Sequence, residues 1–432
     1  MVAFIATQGF NMELFVHEKT NAGLSVEAIK EALLKSIQGK TLKKVLLIPP
    51  DFTRFHSNAG LITNLYYHML KDVAQVDILP ALGTHEPMSD NEIEEMYLDI
   101  PKDRFIVHNW REDIIRVGTV PEAFVSSITE GLWENSVGME VNRLIMDPSY
   151  DLIISIGQVV PHEVIGMANH AKNIFVGCGG KTTINESHMI GAVYGMERMM
   201  GKDHTPVRKV LDYALEHFLK DRPILFVLTV TTAPKNVIKT HGLFIGDTRK
   251  VLEEAILLSQ EKNINFVPKG IKKCIVYLDP KEFKSTWLGN KSVYRTRMAI
   301  EDGGELIVLG SGITKFGEDP YIDQLIRKYG YCGRLNVLDL FKQNEDLQKN
   351  MGAAAHLIHS SSDGRFKITY AVKAISEEAV RGVHFNAASY DEMVLRYDPN
   401  KLEPGFNVLE DGEEVFFIPN PALGLWIDKN RF

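Results

Sequence analysis

Cysteine is nearly missing: Cys178, Cys274 and Cys332 are the whole complement of 432 residues, an odd number set far apart. That excludes a disulfide framework and the common zinc-ribbon spacings. It favours a reducing compartment, so a cytoplasmic location is expected and secretion is not. Basic charge is not in excess either. The 48 lysines and arginines are outnumbered by 56 aspartates and glutamates, a formal charge of −8 that argues against nucleic acid as a partner. No apolar run reaches the ~18–20 residues that cross a bilayer, so no membrane partner is expected. Residues Met1 to Met12 carry neither a basic n-region nor a long apolar core, and so do not read as a secretory leader. There is no internal repeat and no low-complexity tract. What is present is ordinary globular composition, 45% hydrophobic and 24% charged. The length suits two or three domains and a core that needs no disulfide or structural metal.

Short β-branched runs alternate with amphipathic helical stretches, the pattern of an α/β protein with mainly parallel sheets. Residues 44–49 (KVLLIP), 76–81 (VDILPA), 151–157 (DLIISIG) and 223–229 (PILFVLT) read as buried strands. Between the first two, 58–73 reads as a helix with Leu61, Leu65, Tyr66 and Leu70 as its apolar residues. A polar connection at 263–270 leads to a second α/β unit, with strands at 273–278 and 305–309 and a helix at 321–328. The expectation is two α/β domains, 1–265 and 266–402, with an active-site cleft between them. The tail 403–432 is expected to cross back and complete the first domain. In such sheets ligands bind beyond the C-terminal ends of the strands.

Polar residues gather directly after four of these strands. Asp51-Phe52-Thr53-Arg54 pairs an acid with a fixed cation, suited to orienting an anionic substrate or phosphate; the plain alternative is a helix N-cap with a surface arginine. Gly83-Thr84-His85 puts a histidine, whose ordinary pKa of ~6.5 suits proton transfer, at a strand end. The third cluster holds His162, His170, Lys172, Lys181 and His188 around the run 177–183 (GCGGKTT). A nucleotide-binding P-loop is rejected, because Phe175 stands where that motif needs glycine. The histidine spacings match none of the common zinc sites, which leaves an all-protein zinc site unsupported. The fourth cluster, Trp287-Leu288-Gly289-Asn290-Lys291, offers a lysine that reads equally as a solvated loop residue. His56 and His68 read as surface residues, and the acidic run 91–95 as the first turn of a helix.

Taken in order and spacing, these clusters resemble the nickel-dependent lactate racemase family of 2-hydroxyacid racemases and epimerases. Asp51-Phe52-Thr53-Arg54 matches its Asp-x-Thr-Arg, and Gly83-Thr84-His85 its Gly-x-His. Pro161-His162, Lys172 and His188 keep the family's intervals of ten and sixteen residues without a gap. Gly246-Asp247 before a helix fits as well, as does the aromatic-x-x-x-Lys motif from Trp287 to Lys291.

The resemblance implies a cofactor, the nickel pincer nucleotide (pyridinium-3,5-bisthiocarboxylic acid mononucleotide with nickel), attached at Lys172 in an N-terminal cofactor-binding domain. It implies His188 as the histidine ligand of the metal, and square-planar coordination with soft sulfur donors suits nickel(II). Thr53 and Trp287 would also line the cofactor, and Lys181 is then a loop residue or a phosphate contact. His85 and His162 would be the acid–base pair. Inversion at C2 would proceed by reversible hydride transfer, because the C2 hydrogen is too weakly acidic to leave as a proton. Asp51, Arg54 and Lys291 would orient the site and hold the carboxylate or cofactor phosphate. Cofactor-biosynthesis enzymes are the implied protein partners, and a small 2-hydroxy acid the implied substrate.

One departure bears on that substrate. Family members acting on lactate carry a tyrosine–glutamine pair where this chain has Trp287 and Leu288. A leucine cannot replace a polar contact, so another hydroxy acid, malate or an aldonate sugar acid is expected. Three rival readings use the same residues: a zinc-dependent hydrolase built on His85, His162 and His188, a non-catalytic hydroxy- or sugar-acid sensor, and net oxidation or reduction with hydride passed to a second substrate.

Overall fold

The computed structural model describes residues 12–18, 21–234 and 237–432, so the expectation for Met1 to Met12 lies outside the described residues except at Met12. Contacts divide the chain into a first unit that runs to Ser187 and resumes over Met200–Asn263, and a second made of His188–Met199 and Ile264–Phe432.

The first unit is built on a six-stranded sheet. Its strands are β1 (Glu13–His17), β2 (Lys44–Ile48) and β3 (Gln75–Ile78), with β4 (Ile114–Val120) and β5 (Val137–Asn142) forming a separate antiparallel ribbon. Then follow β6 (Leu152–Gln158), the two-residue strands β7 (Pro161–His162) and β8 (Gly166–Met167), β9 (Ile224–Thr232) and β10 (Lys239–Gly246). The sheet order is β1-β10-β9-β6-β2-β3, parallel from β9 to β3 and antiparallel at β9–β10–β1. The strands read as unbroken apolar runs because both faces are covered. Val45, Leu47, Ile154, Ile156, Leu225 and Val227 face one core with Ile62, Tyr66 and Leu70 of the helix Ala59–Leu70. Leu46, Ile153 and Phe226, alternating with them, are buried too. Of the four apolar residues expected on that helix, Tyr66 and Leu70 are buried while Leu61 and Leu65 are half-buried, because Ile62 rather than Leu61 points at the sheet.

The second unit repeats the plan. Its strands are β11 (Asn265–Val267), β12 (Ile271–Tyr277), β13 (Ile300–Gly310), β14 (Lys367–Val372), β15 (Asn386–Ser389), β16 (Gly405–Val408), β17 (Glu414–Ile418) and β18 (Trp426–Asp428). The main sheet runs β15-β14-β13-β12-β17-β16 and is parallel except at β16–β17. The expected return of 403–432 to the first domain is therefore corrected. β17 hydrogen-bonds alongside β12, Val415 and Phe417 pack with Ile275, Ile307 and Leu309, and β18 pairs with β11. The apolar run 414–418 finds its burial inside the sheet that precedes it. The polar connection at 263–270 likewise contains β11. Among the described residues no helix is long and apolar enough to cross a membrane.

One glycine sets how close two elements come. A Cβ on Gly60, in the helix Ala59–Leu70, would run into the backbone carbonyl of Met96 in the helix Asp90–Tyr97. Backbone cannot swing aside as a side chain can, so Gly60→Ala should lower stability by about 1–3 kcal/mol. Urea denaturation at neutral pH checks this: the midpoint should fall while the slope stays unchanged.

Candidate active site

The parallel strands β2, β3 and β6 end at neighbouring places, and each C-terminal end carries polar residues. Beyond β2 and β3 the chains stay paired: Pro50 and Ala81 form a parallel bridge, with Ala81 N–H donating to Pro49 O at 2.8 Å. The bridge delivers Asp51 and His85 together. Asp51 Oδ2 accepts from His85 Nδ1 at 2.5 Å, and Asp51 Oδ1 accepts from Thr53 Oγ1 at 2.6 Å. Asp51 stands at the N-cap position of the short helix Phe52–Ser57, yet its side chain makes no capping bond there. The N-cap reading is thereby replaced by an acid that orients a histidine. Asp51 is buried, which alone would raise its pKa, but the hydrogen bonds from His85 and Thr53 and the charge of Arg54 outweigh burial and hold it below the usual carboxylate value. An ionised Asp51 only accepts, so His85 carries its hydrogen on Nδ1 and leaves Nε2 as the acceptor. His85 is 57% exposed at its side chain, so that nitrogen can be reached from solvent.

His162 sits on β7, buried, in the tight β7–β8 ribbon. Its Nδ1 accepts from the backbone N–H of Val164 at 3.1 Å, which places the hydrogen of the neutral ring on Nε2. The two histidines are thus in opposite states: Nε2 of His85 accepts, and Nε2 of His162 donates.

Lys172 follows in the next turn. Asn173, immediately after it, donates from Nδ2 to Ile48 O at the end of β2 and to Ser155 Oγ in β6, both at 3.0 Å, and so anchors the lysine to the strand ends. Lys172 is half-buried and its pKa is pulled down to about 8. Burial of the amine is the largest cause, and the Arg54 and Arg208 guanidiniums add to it against Glu163 and Asp51. About a tenth of such an amine is neutral and nucleophilic at pH 7, far more than of an ordinary lysine.

The run 177–183 needs its glycines for close packing. A Cβ on Gly179 would meet Phe175 O, and one on Gly180 would meet the Glu140 carboxylate. Glu140 Oε2 accepts the N–H of Thr182 at 3.0 Å, so an internal carboxylate occupies the N-terminus of the helix Lys181–Tyr194. Lys181 is the exposed first residue of that helix rather than a loop residue. His108 was not singled out by its sequence context, yet it fixes this run. It is buried, its Nε2 donates to Gly179 O and its Nδ1 accepts from Asn142 Nδ2, each at 3.0 Å.

The remaining candidates belong to the second unit. His188 is half-buried on the helix Lys181–Tyr194. Trp287 lies in the short helix Thr286–Gly289 and stacks on His356 with ring centroids 4.0 Å apart. His356 is held neutral, its pKa pulled to about 3 by burial and by His359. Lys291 opens the helix Lys291–Tyr294, its Nζ 5.9 Å from the Phe283 ring. His56 and His68 are exposed, as expected, and the acidic run starts a helix with a Ser89–Glu92 capping box. Among the described residues the group spaced to hold a metal ion is Asp203, His204 and Glu253, which contains none of His85, His162 and His188. Both carboxylates of that group are engaged by Arg249, at 2.5 Å and 3.3 Å.

A mainly parallel α/β unit with an aspartate-held histidine and a depressed-pKa lysine beyond its strand ends is of enzyme type. Residues 11–200 match the family model described as the lactate racemase N-terminal domain. A Thermotoga maritima protein of a structural genomics programme shares the fold, with TM-score 0.78 and 24% identity over 96% of this chain and 100% of that one. The lactate racemase apoprotein of Thermoanaerobacterium thermosaccharolyticum does so with TM-score 0.68 and 16% identity over 91% of this chain and 88% of that one. No curated protein matches the chain.

The buried Asp51 carboxylate makes its hydrogen bonds only when ionised. Its folded pKa lies below the unfolded value of ~3.9, so the stabilisation is complete above that value and is lost as pH falls through the folded one. Asp51→Asn should therefore cost about 1 kcal/mol at pH 7, a charged bond discounted for the exposure of His85. Chemical denaturation of both chains across the acid range should show this gap closing as the pH drops.

Proposed function

We propose that the protein is a racemase or epimerase that inverts C2 of a 2-hydroxy acid, with a nickel pincer nucleotide attached at Lys172. The observation that carries this is the amine of Lys172, drawn down to about 8 and anchored through Asn173 to the strand ends that bear the Asp51–His85 pair. The site residues fit such a group: an amine able to form the covalent link, and an imidazole, His188, of the right chemistry for the metal. The chemistry such a group supplies when bound is reversible acceptance of the C2 hydrogen as hydride.

The chain's own residues supply the rest. Asp51 fixes His85 with hydrogen on Nδ1, so Nε2 takes the proton of the substrate hydroxyl, and the imidazolium that forms is stabilised by the carboxylate. His162 is assigned as the acid–base partner for substrate of the opposite hand, and takes that hydroxyl proton on Nε2 once its ring hydrogen has moved to Nδ1 and the Val164 bond is given up. Arg54 and Lys291 are assigned to the substrate carboxylate or the cofactor phosphate, Thr53 to the cofactor through its bond with Asp51, and Trp287 to the pocket wall. One face of the Trp287 indole is covered by His356, so a substrate packs on the other. With Leu288 beside it in place of a polar contact, a hydroxy acid other than lactate is the assigned substrate, with malate, aromatic hydroxy acids and aldonates the panel to try. Cofactor-biosynthesis enzymes are the assigned partners, and the cytoplasm, where thiols such as Cys178 and Cys274 stay free, the assigned compartment.

The test is co-expression with pincer-cofactor biosynthesis enzymes and nickel, followed by intact-protein mass spectrometry and metal analysis. Wild type should carry a nickel-bearing adduct and Lys172→Ala none; zinc without an adduct would sink the assignment. On the loaded enzyme, His85→Asn and His162→Asn should each lower kcat by about 10²–10⁴ while loading stays near wild type, measured as loss of optical activity across the hydroxy-acid panel.

A further inference from the structure

Lys172 is preceded by two consecutive residues in left-handed backbone, Asn169 with φ 70° and His170 with φ 57°. Asparagine accepts this backbone readily and histidine less so, which makes His170 the residue that its surroundings must hold. The holding group is Arg208 on the helix Pro206–Phe218, 1% exposed and among the largest fully buried side chains. Its Nη2 donates to Met167 O at 2.7 Å and to Asn169 O at 3.1 Å, spanning the entry to the turn. Thr205, at the start of the same helix, accepts from Arg208 N–H at 3.2 Å and donates to Ile165 O at 2.7 Å. Inside the turn, Asn169 Oδ1 accepts from His170 N–H at 2.7 Å, and Asn169 O from Lys172 N–H at 3.3 Å.

On its other side the turn is backed by an aromatic ring and borders a pocket. His170 lies against Phe226, ring centroids 3.8 Å apart, and borders a cavity of about 300 Å³. Neither of its ring nitrogens has a hydrogen-bond partner. A left-handed turn whose histidine ring makes no hydrogen bond of its own depends on the bonds that fix its carbonyls. Arg208 is itself steadied by charge: Asp212 Oδ1 lies 3.9 Å from Nη1, and Arg249 ties Asp212 to Asp203.

We infer that Arg208 is the positioning residue for Lys172: its two carbonyl bonds hold the strained turn that presents the amine, and the reactivity of that amine depends on them. The inference concerns the amine itself and stands whatever group Lys172 carries. Two effects of Arg208 on the amine run the same way. Its charge, with that of Arg54, disfavours the ammonium, while Glu163 and Asp51 favour it. Its bonds keep the amine withdrawn from water, and desolvation is the larger effect.

The experiment separates the two and needs neither nickel nor cofactor. The full chain, expressed without cofactor-biosynthesis enzymes, is pulse-labelled with N-hydroxysuccinimidyl acetate over a pH series. Acetylation of Lys172 relative to exposed lysines is read by peptide mass spectrometry, and folding by circular dichroism. Wild type should show a midpoint near 8. In Arg208→Met and the milder Arg208→Gln the midpoint should move toward the ordinary lysine value, reducing labelling at pH 8 by up to about a hundredfold. Glycine accepts left-handed backbone without strain, so Arg208→Gln/His170→Gly should recover much of the wild-type profile. An unchanged midpoint in a folded Arg208 variant overturns the inference. So does a shift that His170→Gly leaves untouched, which would make Arg208 a charge and nothing more. Failure of all three to fold would assign it to global stability instead.

Discussion

A guanidinium buried at the foot of the Lys172 turn is the constraint around which the first unit is arranged. Arg208 sets one terminal nitrogen on two backbone carbonyls, those of Met167 and Asn169, while its buried Nη1 has no hydrogen-bond partner and relies on the Asp212 carboxylate 3.9 Å away. That choice ties an α-helix far along the chain to a turn that its own residues do not favour. Asp212, Asp203 and Arg249 then close the network, with burial pushing Asp212 up and the arginine contacts holding Asp203 down. The left-handed turn at Asn169 and His170 and the charge at Arg208 each make sense only in the presence of the other.

The same economy governs the strand ends. Asp51 makes no use of the helix it could cap, because its carboxylate is committed to His85 and Thr53. The helix that begins at Lys181 is capped from outside by Glu140 instead. A helix end where the protein's own carboxylate already takes the Thr182 N–H is disfavoured for a phosphate, which agrees with the failure of the glycine run to match a P-loop.

Much of this was legible in the residue order. The parallel strands announced themselves because burial on both faces leaves no polar alternation to blur them. Asp51, His85, His162 and Lys172 stood out because each follows such a strand at a short interval. The antiparallel edge β10–β1 and the place of β17 are less visible: an apolar run does not state which sheet it joins, and 414–418 joins the one that precedes it. Arg208 and His108 were invisible for a different reason. Their role is to satisfy backbone carbonyls of Met167, Asn169 and Gly179, and no sequence motif records which carbonyls lack a partner.

The stacked Trp287 and His356 pair has a spectroscopic side. A protonated imidazole quenches indole emission, whereas a neutral one at this distance does so weakly. Because His356 stays neutral down to about pH 3, the emission of Trp287 is insulated from titration of its neighbour across the whole working range. Trp287 thus differs from an indole beside a titrating histidine: a change in its emission on mild acidification cannot come from this neighbour.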